Sequence, residues 1–124
     1  MITGACLGNI GIDCSDALKL QDFYAELLGW EKCEMYGSPA LSNQNGIVFL
    51  FDRADDCDYV RPIWPEQPGC QQKQMHFDFQ VDDLRAAVKQ AETIGAVKAD
   101  SQYGGDDFVT MFDPEGHPFC LCAK

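Results

Sequence analysis

His76 and Asp78 flank Phe77 in the segment Met75-His76-Phe77-Asp78-Phe79-Gln80-Val81. On a strand, positions two apart point to the same face, so an imidazole and a carboxylate would stand side by side. Such a pair can move a proton or anchor a polar ligand; it can equally be a hydrogen-bonded pair that stabilises the sheet. Phe77, Phe79 and Val81 take the opposite face and suit packing under a helix. Trp64, between Ile63 and Pro65, offers a flat surface on which a ligand could stack, or a plug over a sheet edge. Seven cysteines are present, an odd number, so at least one thiol has no partner within the chain. None falls in a C-x-x-C pair, whereas Cys120 and Cys122 are two apart and would share a strand face. His117 follows a turn glycine and reads as an exposed residue. The acidic group Asp52, Asp55, Asp56 and Asp58 lacks the fixed spacing of an EF-hand loop and reads as a solvated connection. There is no glycine-rich phosphate loop and no serine nucleophile elbow.

The whole chain constrains what these residues could serve. Its 124 residues suit one domain spanning 1–124, and 46% apolar with 23% charged residues is an ordinary globular composition. A net charge of −11 repels phosphate, so neither nucleic acid nor an anionic membrane is an expected partner. No apolar run approaches the length of a membrane span. The first ten residues, MITGACLGNI, lack a basic leader, and cysteine used as a small apolar residue suits a reduced, cytoplasmic protein.

Period-two alternation over Leu7 to Cys14 predicts a strand whose inner residues are Ile10, Ile12 and Cys14. Asp16 is the best cap for a helix with apolar positions Leu20, Phe23, Tyr24, Leu27 and Leu28, stopped by Gly29. Further strands are predicted over Trp30 to Tyr36, Ala40 to Gln44 and Ile47 to Asp52, the last two joined at Asn45-Gly46. Asp52 to Lys73, with Pro62, Pro65, Pro68 and Gly69, reads as a long connection. The pattern then restarts: a strand over Met75 to Val81, and a helix capped by Asp82 or Asp83 with Leu84, Ala87, Val88, Ala91 and Ile94 on its apolar face. Gly95 stops that helix, and strands follow over Val97 to Tyr103, Phe108 to Phe112 and Phe119 to Cys122. Gly104-Gly105 and Asp113-Pro114-Glu115-Gly116 supply turns.

The two halves share spacing as well as plan. Asn9 precedes Asp16 by seven positions and His76 precedes Asp83 by seven; Asp16 to Gly29 is 13 and Asp83 to Gly95 is 12. The expected fold is therefore α+β, with two βαβββ modules at about 5–53 and 74–124 joined by a connection at about 54–73. One amphipathic helix covers one face of each sheet, so the opposite face must be buried against something else or line a cavity. His76 and Asp78 would point into that space; Asn9 and Asp13 could face it or lie at a sheet edge.

Three stretches in this order carry a resemblance: Asp22-Phe23-Tyr24-Ala25-Glu26-Leu27-Leu28-Gly29-Trp30, Met75 through Leu84, and Phe112-Asp113-Pro114-Glu115-Gly116-His117-Pro118-Phe119. Pro62-Ile63-Trp64-Pro65 adds to them. The chain resembles the vicinal oxygen chelate superfamily of glyoxalase I, bleomycin-resistance proteins and extradiol dioxygenases, most of all its small glyoxalase-like domains. The resemblance implies a cup-shaped eight-stranded mixed sheet with helices on the convex face, and a homodimer, which uncovered sheet edges also favour. It places metal ligands at Asn9, Leu50, His76 and Cys120. Leu50 has no donor atom, Asn9 offers a neutral carbonyl and Cys120 is soft, so the usual divalent-metal quartet is not expected and no cofactor is implied. A His76–Cys120 pair could hold Zn²⁺ only with borrowed ligands such as Asp78 or His117.

The expected function is small-molecule binding in a cup lined by Asn9, Leu50, Trp64, His76, Asp78 and Cys120. Two alternatives stand beside it. One is a lyase or isomerase in which His76 acts with Asp78. The other is a drug-sequestering protein, for which the net charge of −11 favours a cationic ligand.

Overall fold

The computed structural model describes residues 1–53 and 59–124. Asp55, Asp56, Cys57 and Asp58 lie outside the described residues. The chain forms two compact units, Met1–Tyr59 and Val60–Lys124, each with four strands and one helix.

In the first unit the order is β1 (Ile10–Cys14), α1 (Ala17–Leu28), β2 (Glu31–Met35), β3 (Ser38–Ser42) and β4 (Val48–Arg53). The sheet runs β1-β4-β3-β2, with β1 parallel to β4 and the other pairs antiparallel. Asp16 caps α1 by accepting from the Lys19 amide, and Gly29 closes it in the left-handed conformation at φ 69°. The helix buries Leu20, Phe23 and Tyr24, and the Tyr24 ring stacks on Phe51 at 6.0 Å and meets Phe49 edge-on at 6.2 Å. That packing fixes the face of β4 that α1 covers. Gln21, also buried, donates from its amide to the carbonyls of Cys33 and Ala40, tying the helix to β2 and β3.

The hairpins differ from their sequence reading in detail. β2 and β3 turn at Tyr36-Gly37, both with positive φ, which matches the twist of the flanking strands. Between β3 and β4 the loop is organised by Asn43, not by a two-residue Asn45-Gly46 turn. The Asn43 side-chain oxygen accepts from the backbone amides of Asn45 and Ile47, and the Asn43 backbone N–H donates to the Ile47 carbonyl.

The second unit repeats the order: β5 (Phe77–Val81), α2 (Leu84–Thr93), β6 (Val97–Lys98), β7 (Phe108–Phe112) and β8 (Pro118–Ala123). Its sheet runs β5-β8-β7-β6, again with the first pair parallel and the rest antiparallel. Asp83 is the cap of α2, accepting from the Ala86 amide. Phe119, Leu121 and Met111 are buried, and Phe79 packs on both Phe77 and Phe119. The sequence predicts a strand from Val97 to Tyr103, yet β6 ends at Lys98. The cause is Gln102. Its side-chain amide donates to the Ala99 and Thr110 carbonyls and its oxygen accepts from the Thr110 amide, so a side chain replaces the backbone ladder. Among the described residues no helix is long and apolar enough to cross a membrane.

Candidate functional site

The parallel β5–β8 pair sets the site. Asp78 lies opposite Cys120 and Gln80 opposite Cys122, while the antiparallel β7–β8 pair puts Thr110 opposite Cys120. Phe77, Phe79, Phe119 and Leu121 alternate with these residues and occupy the other face. Along β5 and β8 one face is thus aromatic and aliphatic, and the other carries the polar and thiol groups.

His76 stands one residue before β5, and its Nε2 is 3.3 Å from Asp78 Oδ1. A ring nitrogen of His76, a carboxylate oxygen of Asp78 and Cys120 Sγ all lie within 4.8 Å of one another. Cys120 is buried at 8% exposure, whereas the side chains of His76 and Asp78 are 38% and 59% exposed. The cluster therefore has a buried thiol floor and a solvent-facing rim. Thr110, absent from the sequence reading, places Oγ1 3.5 Å from Cys120 Sγ. Only the β7–β8 register reveals it, because Thr110 is an unremarkable polar position between Val109 and Met111.

Burial pushes the Cys120 thiol up from its ordinary pKa, and the Asp78 carboxylate adds to the shift; Thr110 and Lys73 oppose it. Cys122 is raised for the same first reason, with Asp78 and Cys120 contributing. Lys73 is paired with Glu66, and the pairing lowers the Glu66 carboxyl, with His76 adding to the effect. The connection between the modules thus brings a lysine and a glutamate into electrostatic reach of the cluster, which the sequence alone did not single out.

The structure brings together three of the six sequence-derived site residues, His76, Asp78 and Cys120. Trp64 belongs to the same unit and packs edge-on against Phe112 at 6.4 Å and Tyr103 at 5.7 Å. Phe112 shares its strand face with Thr110, so Trp64 lies over the polar face, along the sheet from Cys120. Asn9 is half-buried just before β1, and Leu50 is buried in β4 opposite Gly11 and Ala40; both belong to the first unit.

His117 is not the exposed residue its sequence context suggests. Its side chain is 25% exposed, and its Nδ1 lies 2.7 Å from Oδ2 of Asp113, a side chain with no exposure. Oδ1 of Asp113 also accepts from the Glu115 and His117 amides. The turn holds His117 in place, and it takes no part in the His76 cluster.

The metal quartet implied by the resemblance does not fit these residues. Leu50 supplies no donor, and the donors that do converge are an imidazole, a carboxylate and a thiol from one unit. A hard cation such as Mg²⁺ or Mn²⁺ would want oxygen ligands throughout.

Residues 9–122 match the family model described as a glyoxalase-like domain. No curated protein matches the sequence. Among solved structures, the chain is similar to a glyoxalase/bleomycin resistance protein/dioxygenase family enzyme from Burkholderia phytofirmans PsJN. The two share 15% identity, 96% of this chain and 98% of that one are covered, and the TM-score is 0.69. A glyoxalase-related enzyme from Fulvimarina pelagi superposes at 16% identity over 96% and 88% of the two chains, with a TM-score of 0.67. A possible glyoxalase from Bacillus cereus does so at 10% identity over 94% and 97%, with a TM-score of 0.65. At these identities the likeness is one of fold.

Proposed function

The chain belongs to the glyoxalase-like domain family, and from that premise we propose that it is a small-molecule-binding protein without the family's usual four-ligand metal site. One observation carries the reading: the His76–Asp78–Cys120 cluster and the Trp64–Phe112 aromatic pair occupy the same sheet face of the second unit. Sites for small organic ligands combine apolar walls with a few convergent polar groups. Here His76 and Asp78 are the exposed polar anchors, Thr110 and Cys120 the floor, and Trp64 the wall. The net charge of −11 disfavours polyanionic ligands and favours a neutral or cationic molecule with an aromatic body.

Fluorescence tests this directly. The chain has two tryptophans, so a Trp30→Phe variant leaves Trp64 as the sole indole. A panel of small aromatic amines and alcohols is titrated into that variant. Saturable quenching by a panel member is expected, with affinity reduced at least about tenfold by Asp78→Asn, the loss of one charged hydrogen-bond partner. A panel that gives no saturable response removes the reading. Conversion of a bound compound to product would replace it with the lyase or isomerase alternative.

A further inference from the structure

We propose that Arg61 is the positioning residue for Trp64: its guanidinium, seated on the turn Asp113-Pro114-Glu115-Gly116, sets the indole against Phe112 and Tyr103. The proposal rests on Trp64 serving as the wall of the proposed ligand site, and it assigns the setting of that wall to a residue outside the site. Every residue concerned belongs to the second unit.

The seat is a glycine, and its geometry requires one. A Cβ on Gly116 would lie 2.5 Å from Arg61 Nε and 2.9 Å from both Cζ and Nη2. Three guanidinium atoms at such similar distances place the flat group face-down over the glycine. Gly116 has φ 87°, a conformation that turns fill with glycine or asparagine. Asparagine would suit the backbone, but its Cβ would push the guanidinium off. Arg61 Nη1 is 3.5 Å from the Pro114 carbonyl, the outer limit of a hydrogen bond, so the stacked plane carries the fit. The same turn holds two buried acidic residues, Asp113 and Glu115, which favour a cation beside them.

What Arg61 holds is the entry to a closed loop. The Ile63 amide donates to the Gln71 carbonyl at 2.7 Å, the Cys70 amide donates to the Gln67 carbonyl at 3.2 Å, and Lys73 pairs with Glu66. These bonds shape residues 63–73, but they tie the loop to itself and not to the sheet. Trp64 is the second residue of that loop, edge-on to Tyr103 and Phe112. Tyr103 is 70% exposed, so one of the two rings flanking the indole is itself weakly held. A tether three residues upstream therefore decides how firmly the indole stays on the face. Pro62 stands between the two and fixes one backbone angle, so displacement at Arg61 is passed on to Trp64.

Acrylamide is the probe. Full-length protein carrying Trp30→Phe has Trp64 as its sole indole, and no organic ligand is added. Arg61→Ala should raise the acrylamide quenching constant about twofold and shift the emission to the red, with the urea midpoint close to the parent's, since Arg61 is exposed. Arg61→Lys keeps the charge but not the plane and should behave as the alanine variant. Arg85→Ala removes the same charge from α2 and should leave the quenching constant unchanged. Gly116→Ala should displace the guanidinium and reproduce Arg61→Ala, and the double variant should be quenched no more than either single one. The Arg61 variants decide the matter even if Gly116→Ala fails to fold. The proposal is overturned if Arg61→Ala is quenched like the parent, if Arg61→Lys or Arg85→Ala reverses its expected result, or if the two single effects add in the double variant. No ligand enters this series, so its failure leaves the small-molecule reading standing. A panel without saturable response would remove the ligand site and leave the Arg61 result intact.

Discussion

Asp78 faces Cys120 across the parallel β5–β8 pair, so a carboxylate lies beside a thiol that is almost wholly buried. Both burial and that carboxylate disfavour the thiolate, and Cys122 feels the same influences. For a thiol whose folded pKa lies above its unfolded value, the unfolded chain loses its proton first as pH rises. The associated stability is intact below the ordinary thiol range, near pH 8.5, and falls as pH climbs through and beyond it. Urea denaturation of the metal-free protein at pH 7 and pH 10 should show this decline, and Cys122→Ser should show a shallower one. Equal slopes for wild type and variant would contradict the argument.

Local rules made the helices legible. Asp16 and Asp83 cap them from within one turn of sequence, and the apolar stripe at Leu20, Phe23 and Tyr24 needs only helical periodicity. What the sequence hides is side-chain substitution for backbone pairing. Gln102 ends β6 early through bonds to Ala99 and Thr110, and no local pattern announces that. The site shows the same division. His76 and Asp78 are adjacent by strand alternation alone, while Cys120 joins them through a pairing 42 residues away in sequence. Thr110 and the Lys73–Glu66 pair enter only once the register and the course of the connection are known. His117 misleads because its turn looks exposed, yet the carboxylate that anchors it is buried.

That anchoring gives a stability prediction. Asp113 accepts from two amides and from His117, with a side chain that has no exposure. Replacing it by alanine strands two buried or half-buried amides and removes a charge-assisted bond. Asp113→Ala should cost about 3 kcal/mol by chemical denaturation. A loss below about 1 kcal/mol would mean that water replaces the carboxylate without difficulty.

Adjacent glycines should behave differently. A Cβ on Gly104 would lie 2.3 Å from the backbone oxygen of Phe108, whereas one on Gly105 would meet nothing within 4 Å. Gly105 has φ 56°, so alanine there carries only the left-handed backbone strain, about 1 kcal/mol. Gly104→Ala must move backbone at the start of β7 and should cost about 2–3 kcal/mol. The thermal midpoints of the two variants should rank in that order; the reverse ranking would show that the turn relaxes freely around Phe108.

Gln102 offers the sharpest comparison, because it both donates and accepts. Gln102→Ala leaves the Thr110 amide and the Ala99 carbonyl without their side-chain partner and should cost about 1–2 kcal/mol. Hydrogen exchange at the Thr110 amide should quicken, since its bond runs to the Gln102 oxygen. Gln102→Glu keeps the acceptor for that amide but loses both donors, and it sets a carboxylate against the carbonyls of Ala99 and Thr110. At neutral pH it should therefore be at least as destabilising as alanine, yet protect the Thr110 amide better. As pH falls and the new carboxyl takes up a proton, one donor returns and the repulsion ends, so the deficit relative to wild type should shrink. If Gln102→Glu matches wild type at neutral pH, the two donated bonds contribute nothing, and the early end of β6 needs another cause.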